Sequence, residues 1–102
     1  MAESVARSVN GVSIRLTDER WQHIVEKRPL LADRQSAVLE TAGDPDMILS
    51  GREGAIRAVR RTGRGRHLVA VYRELSDNDG FIITAYETTK ALRGAVLWQR
   101  QS

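Results

Sequence analysis

Between Met47 and Thr88 three clusters of turn-forming residues, GREG (51–54), GRG (63–65) and SDND (76–79), cut the chain into short runs. Glycine takes left-handed backbone without steric cost, and Asp, Asn and Ser bond their own backbone in turns. The runs between them, MILS, AIRAVRRT, RHLVAVYREL and GFIITAYETT, are rich in β-branched and apolar residues. Links this short favour antiparallel neighbours, because a parallel pair needs a crossover of roughly a dozen residues or more. The pattern predicts a four-stranded antiparallel meander.

Upstream, VSIRLT alternates Val12, Ile14 and Leu16 against Ser13, Arg15 and Thr17, which suits a strand. Thr17 or Asp18 can cap a helix, and Pro29 disfavours its continuation past Arg28. Within it Trp21, Ile24, Val25 and Arg28 fall on one side at helical spacing. A second helix is expected over 33–42, burying Ala37, Val38 and Thr41 and stopped by Gly43 and Pro45. KALRGAVLWQR reads as a closing helix that packs Leu92, Val96 and Leu97. Residues 1–11 read as a flexible arm and 12–102 as a single domain. The fold class expected is α+β, with an N-terminal strand and two helices packed on one face of a four-stranded antiparallel meander sheet.

The 102 residues suffice for one modest core, and no apolar run is long enough to span a bilayer. No leader-like pattern opens the chain, so a cytoplasmic protein is expected. Without cysteine the chain offers no disulfide, thiolate nucleophile or cysteine-ligated zinc. Two histidines 44 positions apart make no metal site by spacing, GRGRHL is no nucleotide fingerprint, and no cofactor is implied.

The net charge of +3 is unevenly spread. Arg52 to Arg73 holds seven arginines against one acid, Glu53, so this segment carries +6 and the rest of the chain −3. Two readings fit. The charge discourages edge-to-edge strand pairing, or it meets an anionic partner, either nucleic acid or an acidic protein.

Pairing decides which face the arginines occupy. Joining Thr62 to Arg66 and Leu75 to Gly80 puts Arg57, Arg61, His67, Arg73, Thr84, Tyr86 and Thr88 on one face. Ile56, Ala58, Leu68, Ala70, Tyr72, Phe81, Ile83 and Ala85 then take the other. A one-residue slip of the last hairpin would send Val69 and Val71 inward with Arg73. In the first register a cationic, hydroxyl-bearing face lies open to solvent.

Such a face suits RNA cleavage by 2′-hydroxyl attack, which needs a proton acceptor, a donor for the leaving oxygen and cations for the phosphorane. Guanidinium forks match phosphate oxygens, and imidazole ionises near neutral pH. The candidate catalytic residues are therefore His67, Arg73, Thr84 and Tyr86, with His23 as a second imidazole. The candidate RNA-binding residues are Arg57, Arg61, Arg66, Thr88 and Lys90. A surface position for each histidine is the plain alternative.

RLTDERWQHIVEKRPLL, VLETAGDPDMILSG, HLVAVYREL and GFIITAYETTK, in that order, resemble the phage-associated branch of the barnase–EndoU–colicin–RelE-like (BECR) nucleases. The resemblance spans Val12 to Lys90. It implies helices behind a four-stranded antiparallel sheet, RNA on the opposite face, and the toxin half of a toxin–antitoxin pair, for which the basic face predicts a small acidic antitoxin as partner. Trp21, His23, Ile24 and Pro29 match the helix motif, as do Tyr72, Arg73, Thr84, Ala85, Tyr86 and Thr88 on the strands. Arg28 stands where a second histidine is usual, so the resemblance admits either a metal-independent endoribonuclease or a non-catalytic module that binds RNA or an acidic protein.

Overall fold

The computed structural model describes residues 3–101, which form seven strands and two α-helices. The strands are β1 (Glu3–Arg7), β2 (Ser13–Thr17), β3 (Met47–Ser50), β4 (Ile56–Gly63), β5 (Arg66–Ser76), β6 (Asp79–Thr88) and β7 (Val96–Gln99). The helices are α1 (Asp18–Lys27) and α2 (Gln35–Gly43), with short 3-10 turns at Pro29–Leu31 and Arg52–Gly54. All seven strands join one sheet in the order β1-β2-β6-β5-β4-β3-β7. Every pairing is antiparallel except β2 with β6, so the sheet is mixed.

The architecture corrects the expected four-stranded meander in three places. Residues 3–7, read as part of a flexible arm, form β1 and pair with β2 from Glu3↔Thr17 to Arg7↔Ser13; residues 1 and 2 of that arm lie outside the described residues. The tail read as a helix instead runs as β7 along the outer edge of β3. Finally β2 joins the sheet, parallel to β6, through Ile14↔Gly80 and Arg15↔Phe81. Gly80 permits that approach, since a Cβ there would strike the Arg73 carbonyl oxygen and come within 2.7 Å of Ile14 Cδ1. Arg15 reinforces it with a fork onto Asp79, Nε to Oδ1 at 2.8 Å and Nη2 to Oδ2 at 3.2 Å.

The β4–β5 hairpin pairs Arg57 with Val71, Val59 with Val69 and Arg61 with His67, then shifts so that Gly63, not Thr62, faces Arg66. In the next hairpin His67↔Thr88, Val69↔Tyr86 and Val71↔Thr84 hold as the alternation suggests. The register then shifts, because Tyr72 faces Ile82 and leaves Ile83 as the extra residue of a bulge. Beyond it Arg73 faces Phe81 rather than Ile82, and Glu74 rather than Leu75 faces Gly80. Ile82 therefore enters the core, while Phe81 and Ile83, expected there, are half-buried.

The main core gathers Ile14, Leu16, Ile24, Val38, Leu68, Ala70, Tyr72, Ile82 and Ala85. α2 lies over β5, β4 and β1, and α1 beside β6 and β2. The opposite face is not the open cationic surface expected. Leu49, Val59 and Val69 are buried there as a second cluster, with Met47, Val71, Tyr86 and Leu92 packed on it. Among the described residues no helix is long and apolar enough to cross a membrane.

Candidate functional site

α1 begins where Thr17 Oγ1 accepts a hydrogen bond from Arg20 N at 3.1 Å. Asp18 and Glu19 in its first turn and Lys27 in its last suit the helix dipole. β2 pairs with β6 over two residues only, so the remainder of β6 has α1 for a neighbour on that side. Ile24 anchors the helix in the core. Arg20, His23, Lys27 and Arg28 then face Ile83 and Thr84 across a groove of about 350 Å³.

Lys27 and Arg28 also border a second groove, of about 570 Å³, which continues past Pro29, Leu30 and Leu31 to Arg66, Thr88 and Thr89. The two form one furrow between α1 and the outer half of β6. The Arg28 guanidinium lies over the Tyr86 ring, 5.7 Å from its centroid, a cation–π contact. Tyr86 borders a third hollow, of about 370 Å³, with Ser50, Gly51, Arg52 and Arg57. Tyr86 thus stands between this hollow and Arg28, which borders both grooves of the furrow.

Among the described residues no acid forms an ion pair with Lys27, Arg28 or Arg66. Glu87, the carboxylate bordering the larger groove, already accepts from Thr62 Oγ1 at 2.8 Å and sits 3.8 Å from Arg34 Nη1. The furrow keeps cations available to an outside anion, with the hydroxyls of Thr84 and Thr89 on its walls.

The residues singled out from the sequence divide between this furrow and the rest of the sheet. His23 and Thr84 share the smaller groove, and Arg66 and Thr88 line the larger. Thr88 Oγ1 accepts from Lys90 N at 3.0 Å, so the backbone of Lys90 turns on that hydroxyl. His23 Nδ1 lies 3.9 Å from Glu26 Oε1, both side chains largely exposed. His67 stands on β5 between Arg61 and Thr88, and its buried Nδ1 has no hydrogen-bond partner among the described residues. Arg73 sits by the Arg52–Gly54 turn, its Nη1 3.9 Å from where a Cβ on Gly54 would stand.

The arginines of β4 have local engagements. Arg57 Nε donates to the Ser50 carbonyl at 2.9 Å, and Nη2 to the Arg93 carbonyl. Arg61 Nε donates to the Gly63 carbonyl at 3.2 Å, within its own turn. Sequence reasoning passed over Arg20, Lys27 and Leu30, and marked Arg28 only as standing where the resembled family has a second histidine. One signal was present: Arg28 shares a helix side with Trp21, Ile24 and Val25, an arginine on an otherwise apolar stripe.

Among the described residues no group of three or more His, Asp or Glu is placed to hold a metal ion. What the arrangement offers chemically is cationic charge, hydroxyls, a guanidinium in cation–π contact and one imidazole along a single furrow. Comparison with protein-family models, with curated proteins and with solved structures found no match to this chain.

Proposed function

We propose that this chain is a metal-independent endoribonuclease of toxin type, acting in the cytoplasm, with its RNA site in the α1–β6 furrow. The observation that supports it is Arg28, in cation–π contact with Tyr86 and bordering two grooves that Lys27, Arg66 and Thr84 also border. Cations on the furrow walls suit phosphates, and a guanidinium on an aromatic ring suits a base. In the reaction the 2′-oxygen bonds to phosphorus as the bond to the 5′-oxygen breaks. The proton leaves the 2′-hydroxyl for a base and another reaches the departing oxygen, giving a 2′,3′-cyclic phosphate and a 5′-hydroxyl. His23, which borders the same groove as Thr84, would make one of these transfers, and Lys27 and Arg28 would stabilise the phosphorane charge. A small acidic antitoxin would cover the same cations.

A second reading, RNA binding without cleavage, is favoured by the placing of the imidazoles. His23 lies on α1 and borders the smaller groove, whereas His67 lies on β5, paired with Thr88, and borders neither groove. End-labelled RNA incubated with the protein in EDTA separates the two. Cyclic-phosphate products, reduced about 10²–10⁴-fold by His23→Ala, support the nuclease. Binding without products leaves the second reading, and no binding to any RNA removes both. Growth arrest on induced expression, relieved by Lys27→Ala with Arg28→Ala, tests the toxin role.

A further inference from the structure

Resting on the assignment of the furrow to RNA, we infer that it takes a single strand rather than a duplex, and that Arg28 is the surface on which one base stacks. Arg28 is half-buried and borders both grooves. Its guanidinium carbon lies over the Tyr86 ring at 5.7 Å from the centroid, and its side chain borders the open furrow. A base laid there makes a third tier over Tyr86 and Arg28, since guanidinium planes stack on bases as aromatic rings do. Past the stack, Leu30 is 92% exposed at the rim of the larger groove, next to Pro29. An apolar side chain so placed offers a contact for the next base, and Lys27, bordering both grooves, is placed for the phosphate between the two.

An A-form duplex keeps its bases stacked inside and its major groove too narrow to read. A furrow walled by one helix and one strand, with compartments of about 350 and 570 Å³, is sized for unstacked nucleotides. Duplex RNA would meet only the rim cations. The position of Arg28 also distinguishes a plane from a point charge: lysine keeps the charge but cannot form the tier.

The test is fluorescence anisotropy with a short 2′-O-methyl RNA, which resists cleavage. It is presented as a single strand, as a duplex, and as a single strand carrying abasic positions. Wild-type protein is expected to bind the single strand at least about tenfold tighter than the duplex. Removing the stacked base should weaken binding by roughly 5- to 150-fold. Arg28→Lys should bind the intact strand more weakly, keep the salt dependence and no longer distinguish abasic from intact strands. Leu30→Ser, at an exposed position that leaves the core untouched, should weaken single-strand binding a few-fold and duplex binding not at all. Equal affinity for duplex and single strand, or an Arg28→Lys protein that still discriminates abasic strands, overturns this inference while leaving the RNA assignment intact. Failure of the wild type to bind any of the three RNAs overturns the assignment itself and the inference with it.

Discussion

Arg57, Arg60 and Arg61 of β4 and Arg20, Lys27 and the C-cap Arg28 of α1 are two cationic groups of equal size with opposite circumstances. On β4, Arg57 holds the carbonyls of Ser50 and Arg93, and so ties the 89–95 segment across the face that Leu92 covers. Arg60 Nη1 donates to the Asp44 carbonyl at 3.0 Å and lies 3.6 Å from Glu40 Oε1. On α1, Lys27 and Arg28 have no carboxylate partner among the described residues and line the furrow instead. Charge density along a sequence therefore measures neither availability nor function. Three arginines of the densest run, Arg57, Arg60 and Arg61, fasten the fold, while Arg66 of the same run and a sparser set at a helix edge border the furrow.

The largest effect expected from this contrast is on RNA affinity. Replacing Lys27 and Arg28 together by Ala should weaken RNA binding about 10- to 100-fold at low salt. The slope of log affinity against log salt should become shallower by about 1.4–1.8 for the two lost contacts. A slope unchanged by this double substitution, but flattened by Arg57→Ala, would reverse the comparison. Arg57→Ala should act on stability instead, costing about 1–3 kcal/mol for its carbonyl bonds as read by urea unfolding. Its salt slope should stay as in the wild type.

The acidic side of the fastening should show in pH. Asp44 is held below the ordinary carboxylate range first by its hydrogen bond from Arg100, with Arg60 adding to it. Because the folded-state pKa is depressed, this contribution is complete above the unfolded value of about 4 and is lost as pH falls through the lower folded one. β7, which precedes Arg100, should stay docked at pH 5 and loosen only in stronger acid. Trp98 fluorescence in a Trp21→Phe background reads this, and release of β7 already near pH 6 would contradict it. The smallest change is expected at Arg61, whose exposed side chain donates to the Gly63 carbonyl of its own turn and whose backbone N–H, bonded to Asp46, is kept in the alanine variant. Arg61→Ala should alter stability by no more than about 0.5 kcal/mol. With β5 between β4 and β6, it should leave the salt slope alone.

What was legible in the sequence was local. The Thr17 cap, the stop before Pro29 and the pairing of His67, Val69 and Val71 with Thr88, Tyr86 and Thr84 follow from capping, backbone restriction and alternation acting within a few residues. What was not legible depended on pairing with partners outside each segment. ESVAR carries little apolar alternation and is a strand because β2 lies beside it. AVLW is a continuous apolar run that suits helix or strand equally, and the edge of β3 decides. The Ile83 bulge has no local marker, yet it turns Ile82 into the core. The furrow was missed for the same reason: its walls come from α1 and β6, whose proximity follows from the parallel β2–β6 contact.

That contact has a consequence for how the molecule comes into being. About sixty residues of sequence separate Ile24 on one wall from Thr84 on the other. During synthesis the helix leaves the ribosome long before the strand that completes the furrow, and closing so long a loop is slow compared with forming a helix or hairpin. A nascent chain passing over ribosomal RNA would carry the cations of α1 without the opposing wall. An RNA-cleaving activity assembled from these two walls would be withheld until β6 had emerged and the sheet had closed, a delay set by topology alone.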